Sequence, residues 1–356
     1  MVLCVFVSSW RKKATRVLYV HPHIINGKTQ SMKKINWGLI GPGKVTHAFV
    51  KDLQLLEHSR VSAVASRSAA KAEAFAEQYD IPNRYGSYAE LFQDEEVDIV
   101  YIATPPNSHA ELGIAAMNAG KHALIETPLA VNSAQAQELI AASRRNGVFL
   151  MEAFWVRFIP AIRECLELAQ NKTIGDITYI TADLTTPRSN LDADWRLDMG
   201  LGGGALMTRA SYPVALAYMI LGKPQEVVAA ARFHRTGADK QVSAILKYEN
   251  GIANIMGGFV SNSDMVGRIY GTAGSILLDP WWYETESFTI VENGGESRAV
   301  KMPKHGKGFT HEIDECVRCI RAGKIQSDLW SHRHSLEWKG IIDEIRMQIG
   351  LKYPFE

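Results

Sequence analysis

Between residues 35 and 151 the chain repeats one rhythm: a short, nearly all-apolar run, then a stretch with helical periodicity. The runs are INWGLI (35–40), VSAVAS (61–66), DIVYIA (98–103), HALI (122–125) and VFLM (148–151). Strands apolar on both faces and separated by helices are satisfied only inside a parallel sheet covered on both sides. AELGIAAMNAG reads as one such helix, with Gly120 at the position that favours glycine just past a helix end. After residue 172 the rhythm changes. GDITYITADL, EVVAAARF, QVSAILKY, GIANIMGGFV, GRIYG and GSILLD come in close succession, mostly without helices between them. Asn250-Gly251 stands between two of these runs, a strong hairpin signal. An antiparallel sheet is expected there, and two helices, about 309–322 and 331–349, close the chain.

The bulk numbers fit this division. A chain of 356 residues favours two domains, and 46% hydrophobic with 22% charged residues is ordinary for a globular protein that folds without staples. A net charge of +1 makes no case for nucleic acid. No apolar stretch approaches the length of a membrane span. The cysteines Cys4, Cys165, Cys316 and Cys319 suit a reducing cytoplasm. Cys316-x-x-Cys319 lies in a helical pattern without a second pair, so no metal site is expected. His332 and His334, flanking an arginine in SHRHS, read as solvated. Residues 1–31 look foreign to the rest of the chain. Their basic residues come after the apolar run, the reverse of a secretory signal, and Met32 directly precedes the first strong strand. The expected division is a disordered extension or misassigned start over 1–31, a nucleotide-binding domain over 32–152, and a second α/β domain over 153–356.

GLIGPGKVTHAF places Gly41-x-Gly43 directly after the first strand of the series and at the start of a helix. Glycines there permit a tight turn and let the backbone approach a pyrophosphate, whose charge the helix N-terminus favours. The third position of G-x-G-x-x-G/A is Thr46, but the β-α-β context is right for a Rossmann dinucleotide site. Lys44 and Val45 continue the loop. The second strand ends in Ser66-Arg67-Ser68, not in the Asp or Glu that reads a ribose 2′-hydroxyl. A guanidinium flanked by hydroxyls suits a 2′-phosphate, so NADP(H) is expected over NAD(H). In doubly wound sheets ligands bind at the carboxyl edge of the strands. That edge carries Thr104, Pro105, Asn107 and His109 after one strand, and Glu126-Thr127-Pro128 after the next.

With these residues in view, the chain resembles the glucose–fructose oxidoreductase, inositol dehydrogenase and rhizopine-catabolism (Gfo/Idh/MocA) family. The resemblance is nearest to its branch of dimeric dihydrodiol and NADP-dependent xylose dehydrogenases. It rests on GLIGPGKV, VASRS, IATPPNSHAEL, AGKHALIETPLAVN, MEAFWVRFIPA, WRLDMGLGGGALM, YPVALA and GFTHEIDECVRCIRAGK, in that order over roughly 35–350. It implies a Rossmann domain, then an α/β domain whose open antiparallel sheet forms a homodimer. A sugar, polyol or cyclic-diol pocket would lie beside the nicotinamide.

Two positions depart from the family pattern. The family reads Glu-Lys-Pro where this chain has Glu126-Thr127-Pro128, and the lysine normally helps move the substrate proton. A threonine hydroxyl can hydrogen-bond but does not ionise usefully near neutrality. The family commonly has Asp where Thr208 stands, and a small or apolar residue at Arg209. On a regular helix from about Gly204, Thr208 and Tyr212 share a face and Arg209 points about 100° away. Tyr212 matches the branch's proton-transfer tyrosine, which works as a base only beside a cation, since a free phenol has a pKa near about 10. Losing both members of a charged pair leaves two hydroxyls able to satisfy each other, which a fold tolerates better than one stranded charge.

The catalytic set implied by the resemblance is therefore Tyr212, Thr127 and Thr208. Glu126, Arg157, Arg196 and His311 are candidate substrate contacts, and Glu126 also borders the cofactor. Two functions stay open: an NADP(H)-dependent oxidoreductase weakened at its proton relay, and a non-catalytic NADP(H)- and sugar-binding protein.

Overall fold

The computed structural model describes residues 33–356, and residues 16–19 as backbone. Its strands, in chain order, are β1 (Arg16–Tyr19), β2 (Ile35–Ile40), β3 (Ser59–Ala65), β4 (Asn83–Tyr85), β5 (Ile99–Ile102), β6 (His122–Glu126), β7 (Leu150–Ala153) and β8 (Ile177–Thr185). Beyond these come β9 (Glu226–Phe233), β10 (Asp239–Lys247), β11 (Ile252–Gly258), β12 (Gly267–Gly271), β13 (Gly274–Leu278), β14 (Ser287–Glu292) and β15 (Ser297–Lys301).

Six strands form a parallel sheet in the order β4-β3-β2-β5-β6-β7. All four residues of β5 are buried, as a strand covered on both faces requires. The chain leaves β2 to one side for β3 and crosses to the other side for β5, so the strand order reverses around β2. A crevice opens at the carboxyl ends where such a reversal occurs. The short edge strand β4 is not expected from the sequence: three residues carry too little alternation to read. The expected helix ends after Asn118, and Gly120 takes a positive φ of 78° just beyond it.

The second sheet has nine strands, β1-β15-β14-β13-β12-β8-β11-β10-β9. It is mainly antiparallel but mixed: β8 runs parallel to β11, and β1 parallel to β15. Asn250-Gly251 does join the antiparallel pair β10 and β11. Val242, Ala244 and Leu246 of β10 are buried, whereas Ile245 and its cross-strand partner Val228 are exposed. The helices Ser211–Leu221 and His332–Ile349 pack on the buried side. Part of the stretch expected to be disordered or misassigned, Arg16–Tyr19, is strand β1, held in register with Arg298–Lys301. The rest of 1–31 lies outside the described residues. His332 is not solvated: it is buried, and its Nε2 lies 3.1 Å from the Leu150 carbonyl oxygen.

Candidate functional site

Gly41 closes the first turn with φ 84°, and a side chain there would meet the Ala103 carbonyl oxygen at 2.7 Å. Only glycine fits both demands. A Cβ at Gly43 would meet nothing closer than 4.0 Å, so that side of the loop is open to a ligand. The helix Lys44–Leu53 starts immediately after it. Thr46, the departure from the glycine motif, is fully buried and donates its hydroxyl to the Gly41 carbonyl at 2.5 Å. It braces the turn that a glycine would have allowed to pack closely.

Two openings flank this turn. One, of about 790 Å³, is lined on one side by Gly43, Lys44, Val45, Thr104 and Pro105, and on the other by Arg188, Asp194 and Arg196. The second, of about 620 Å³, holds Arg67, Ser87, Thr104, Pro105 and Asn107. Arg67 is exposed, and Ser66 Oγ accepts from the Ser68 N–H at 3.2 Å, fixing the loop that presents it. The donor set and the open face of Gly43 fit a dinucleotide: a pyrophosphate at the helix start and a ribose side facing Arg67. Asn107 Nδ2 donates to the Gly200 carbonyl at 3.0 Å and links the first sheet's loops to the second half.

His109 does not face the opening. It is buried, with Nδ1 2.8 Å from the Pro128 carbonyl oxygen and Nε2 2.7 Å from that of Thr104. Burial lowers its pKa, while the two carbonyls favour the doubly protonated ring. A neutral ring can satisfy only one of them. Its role is to tie together the two strand ends that border the cleft.

Glu126 ends β6 and accepts a short hydrogen bond from the Tyr101 hydroxyl. Burial pushes its carboxyl up to about 7, against the pull of Tyr101 and the Thr127 N–H. Thr127, joined to Pro128 by a cis peptide, donates its hydroxyl to the Ala153 carbonyl at 3.1 Å. Thr208 donates to the Gly204 carbonyl at 2.8 Å. The two threonines therefore do not satisfy each other as expected. Each finds a backbone carbonyl instead.

The helix carrying Tyr212 also departs from expectation. Leu206–Ala210 forms a π turn before the α-helix Ser211–Leu221. Such turns recur at functional sites. The charge of Arg209 still bears on the Tyr212 phenol and draws its pKa down, while its guanidinium lies over the Phe259 ring. Residues three apart are neighbours on a helical surface, a relation the 100° reading passes over. The Tyr212 phenol is nevertheless held well above its ordinary value. Burial is the chief cause and Glu126 the next, while the nearby Trp155 indole and the Arg209 charge oppose them. Phe154, 5.4 Å away, and Tyr283, 6.1 Å away, pack on its ring.

Sequence reasoning misses four neighbours. Tyr101 and Glu312 read as ordinary strand and helix residues. Glu312 is fully buried, neither carboxyl oxygen has a partner, and burial with Glu126 and Asp52 nearby raises its pKa far above the usual range. Arg188 and Asp194 sit on a loop beyond β8 with no motif to mark them. Two candidates lie elsewhere. Arg157 donates to the Leu329 carbonyl at 3.2 Å, in a separate opening with Tyr218, Arg333 and Glu337. His311 accepts from the His305 N–H at 3.2 Å and lines another, with Asp314 and Arg318. Arg196 does border the main cleft and grips Asp194 with Nη1 at 2.9 and 3.2 Å. Among the described residues, no group of three or more His, Cys, Asp or Glu could hold a metal ion, and no helix could cross a membrane.

This geometry agrees with known proteins. Residues 35–154 match the Gfo/Idh/MocA oxidoreductase family model with an NAD-binding Rossmann fold, and residues 162–277 match a Gfo/Idh/MocA C-terminal domain. A trans-1,2-dihydrobenzene-1,2-diol dehydrogenase of Xenopus laevis is 34% identical over 89% of this chain and 99% of its own. The Homo sapiens protein of that name is 31% identical over 90% and 98%. The crystal structure of KijD10, a 3-ketoreductase from Actinomadura kijaniata in complex with NADP and TDP-benzene, superposes with a TM-score of 0.81. It is 26% identical, over 89% of this chain and 98% of that one. With the glycine turn, the parallel sheet and both halves accounted for, the chain belongs to the Gfo/Idh/MocA family of oxidoreductases.

Proposed function

We propose that this protein transfers hydride between NADP(H) and a carbinol or carbonyl carbon of a sugar, polyol or cyclic diol, with a weakened proton relay. The observations that carry this reading are the glycine turn open at Gly43 and, ending strand β6 at the same carboxyl edge, Glu126, whose charge bears on the buried Tyr212 phenol. The dehydrogenase relatives and the NADP-bound 3-ketoreductase support the substrate and cofactor classes. Gly41, Gly43, Lys44 and Val45 would hold the pyrophosphate; Ser66, Arg67 and Ser68 the 2′-phosphate; Thr104, Pro105, Asn107 and Glu126 would border the rest. The cofactor, when bound, supplies or accepts the hydride.

The chain's own part is to hold and move one proton at the Tyr212 phenolic oxygen. Burial and Glu126 keep that phenol protonated near neutral pH, so it serves as an acid toward a substrate oxygen as a carbonyl is reduced. In the reverse direction the phenolate must form, and Arg209 is the cation available to stabilise it. Thr127 and Thr208, both committed to backbone carbonyls, carry no proton. Turnover of NADP+ with a panel of aldoses and diols tests the reading, together with Thr127→Lys combined with Thr208→Asp. Weak turnover that the double change raises supports it. Cofactor binding with no turnover before or after the change would favour a non-catalytic binding protein.

The exposed Val228–Ile245 pair on the open sheet face supports a homodimer through that face. A monomer in light scattering would end that assignment. The cysteine pattern supports a cytoplasmic location, which fractionation of the native cell would test.

A further inference from the structure

Two arginines, Arg188 and Arg196, line the main cleft, and their charges are the foremost ones bearing on a third, Arg209, outside that lining. One carboxylate, Asp194, lies among them. Arg196 holds it with two hydrogen bonds and Arg188 stands 3.9 Å from it. Arg209 has no share in it. Its buried Nε has no hydrogen-bond partner, and its guanidinium lies 5.6 Å from the centre of the Phe259 ring. Arg188 Nε is also buried without a hydrogen-bond partner. The Phe259 carbonyl accepts the Arg188 backbone N–H at 3.0 Å, so one residue supports both arginines.

The other carboxylates nearby are already engaged. Glu284, beside Tyr283, pairs with Lys304 and Lys307. Asp183 accepts a hydrogen bond from Ser263. Glu126 and Glu312 are buried with raised pKa values, which favours their neutral forms. Lys44, at the glycine turn, adds a further positive charge to the lining. Guanidinium groups stay charged throughout the accessible pH range, so Arg209, which shares no carboxylate, is left to an external partner.

We propose that the substrate carries an anionic group, a carboxylate or a phosphate, which Arg209 and Arg188 bind while the reacting oxygen faces Tyr212. This rests on the oxidoreductase reading above and narrows its substrate class to anionic sugars or polyols. An arginine fork matches the paired oxygens of either group. A neutral diol would leave the two Nε–H groups unsatisfied, which is how a polar site rejects a substrate lacking the matching group.

The test is calorimetric binding to the NADPH-loaded protein, in which the cofactor's own phosphates are already in place. The probes are three alcohols of one carbon skeleton that NADPH cannot reduce: D-glucitol, D-gluconate and D-glucitol 6-phosphate. At least one anion should bind about 10-fold or more tighter than glucitol, and the tighter of the two names the group. Arg209→Gln and Arg188→Gln should each shrink that ratio, and Arg209→Lys should keep part of it. NADPH affinity in each variant reports whether the fold is intact. Equal affinities for the three probes, or a ratio that survives both glutamine changes, would overturn the proposal. Tight, arginine-dependent gluconate binding without turnover on any substrate would end the oxidoreductase reading and leave only the anion-binding role of the two arginines.

Discussion

The two halves of the molecule treat buried polar groups differently. In the parallel-sheet half, Thr46, His109 and Glu152 are buried, and their polar atoms meet backbone or side-chain partners. Among the described residues, every buried side-chain polar atom without a partner lies at Thr185 or later. The first half is a preassembled cradle, open at the glycine turn and beside Arg67. The second half holds buried polar atoms that lack a hydrogen-bond partner, among them Arg188 Nε, Arg209 Nε and both Glu312 carboxyl oxygens, and the last two residues bear on Tyr212. An unsatisfied buried group is costly. Where several converge at a cleft, they describe the ligand that would satisfy them.

The largest effect expected from breaking this contrast is on the proton. Tyr212→Phe should lower turnover by about 10²–10⁴-fold while NADPH affinity stays within a few-fold, read by steady-state kinetics and fluorescence titration. An unchanged rate would remove Tyr212 from the relay. Next in size is a pH effect in the second half. Asp239 is fully buried, has one oxygen unpartnered, and is pushed by burial up to about 7. Its folded pKa lies above its unfolded value, so the folded state holds the proton more tightly. The stabilisation is complete below about pH 4 and is lost as pH rises through about 7. Asp239→Asn should therefore make the protein more stable than wild type above pH 7, by roughly 2–4 kcal/mol in chemical denaturation, with no gain at pH 4. In the first half, Arg67→Ala should weaken NADPH binding by about 10–100-fold and leave NADH nearly unaffected, since it removes only the 2′-phosphate contact. The smallest effect belongs to the threonine. Thr127→Val removes the bond to Ala153 and should cost about 1 kcal/mol of stability, with far less effect on turnover than Tyr212→Phe.

How much of the molecule is legible in the sequence depends on how local the physics is. Gly41 and Gly43 are readable because a positive φ and a close backbone approach are steric demands met within a few residues. The strands β2, β3, β5, β6 and β7 are readable because burial on both faces writes an apolar run. Strands β14 and β15 escape such a reading: their residues alternate in burial and lack the continuous run. Thr127 and Thr208 stand out in the sequence, but their partners do not. Which carbonyl lies within hydrogen-bond reach of a hydroxyl is decided by tertiary packing. The same holds for Glu312, whose lack of a partner no helical pattern can reveal. The π turn at Leu206–Ala210 is not written in the periodicity of LMTRASYPV.

The measurement that bears most directly on the proposed weakening of the proton relay is the single-turnover rate of NADPH oxidation with a carbonyl substrate. Wild type should be compared with Thr127→Lys combined with Thr208→Asp at matched cofactor saturation. The restored pair should raise the chemical rate by about 100-fold or more while the NADPH Kd moves little. A wild-type rate that is already fast and does not rise with the restored pair would contradict the assignment of a weakened relay.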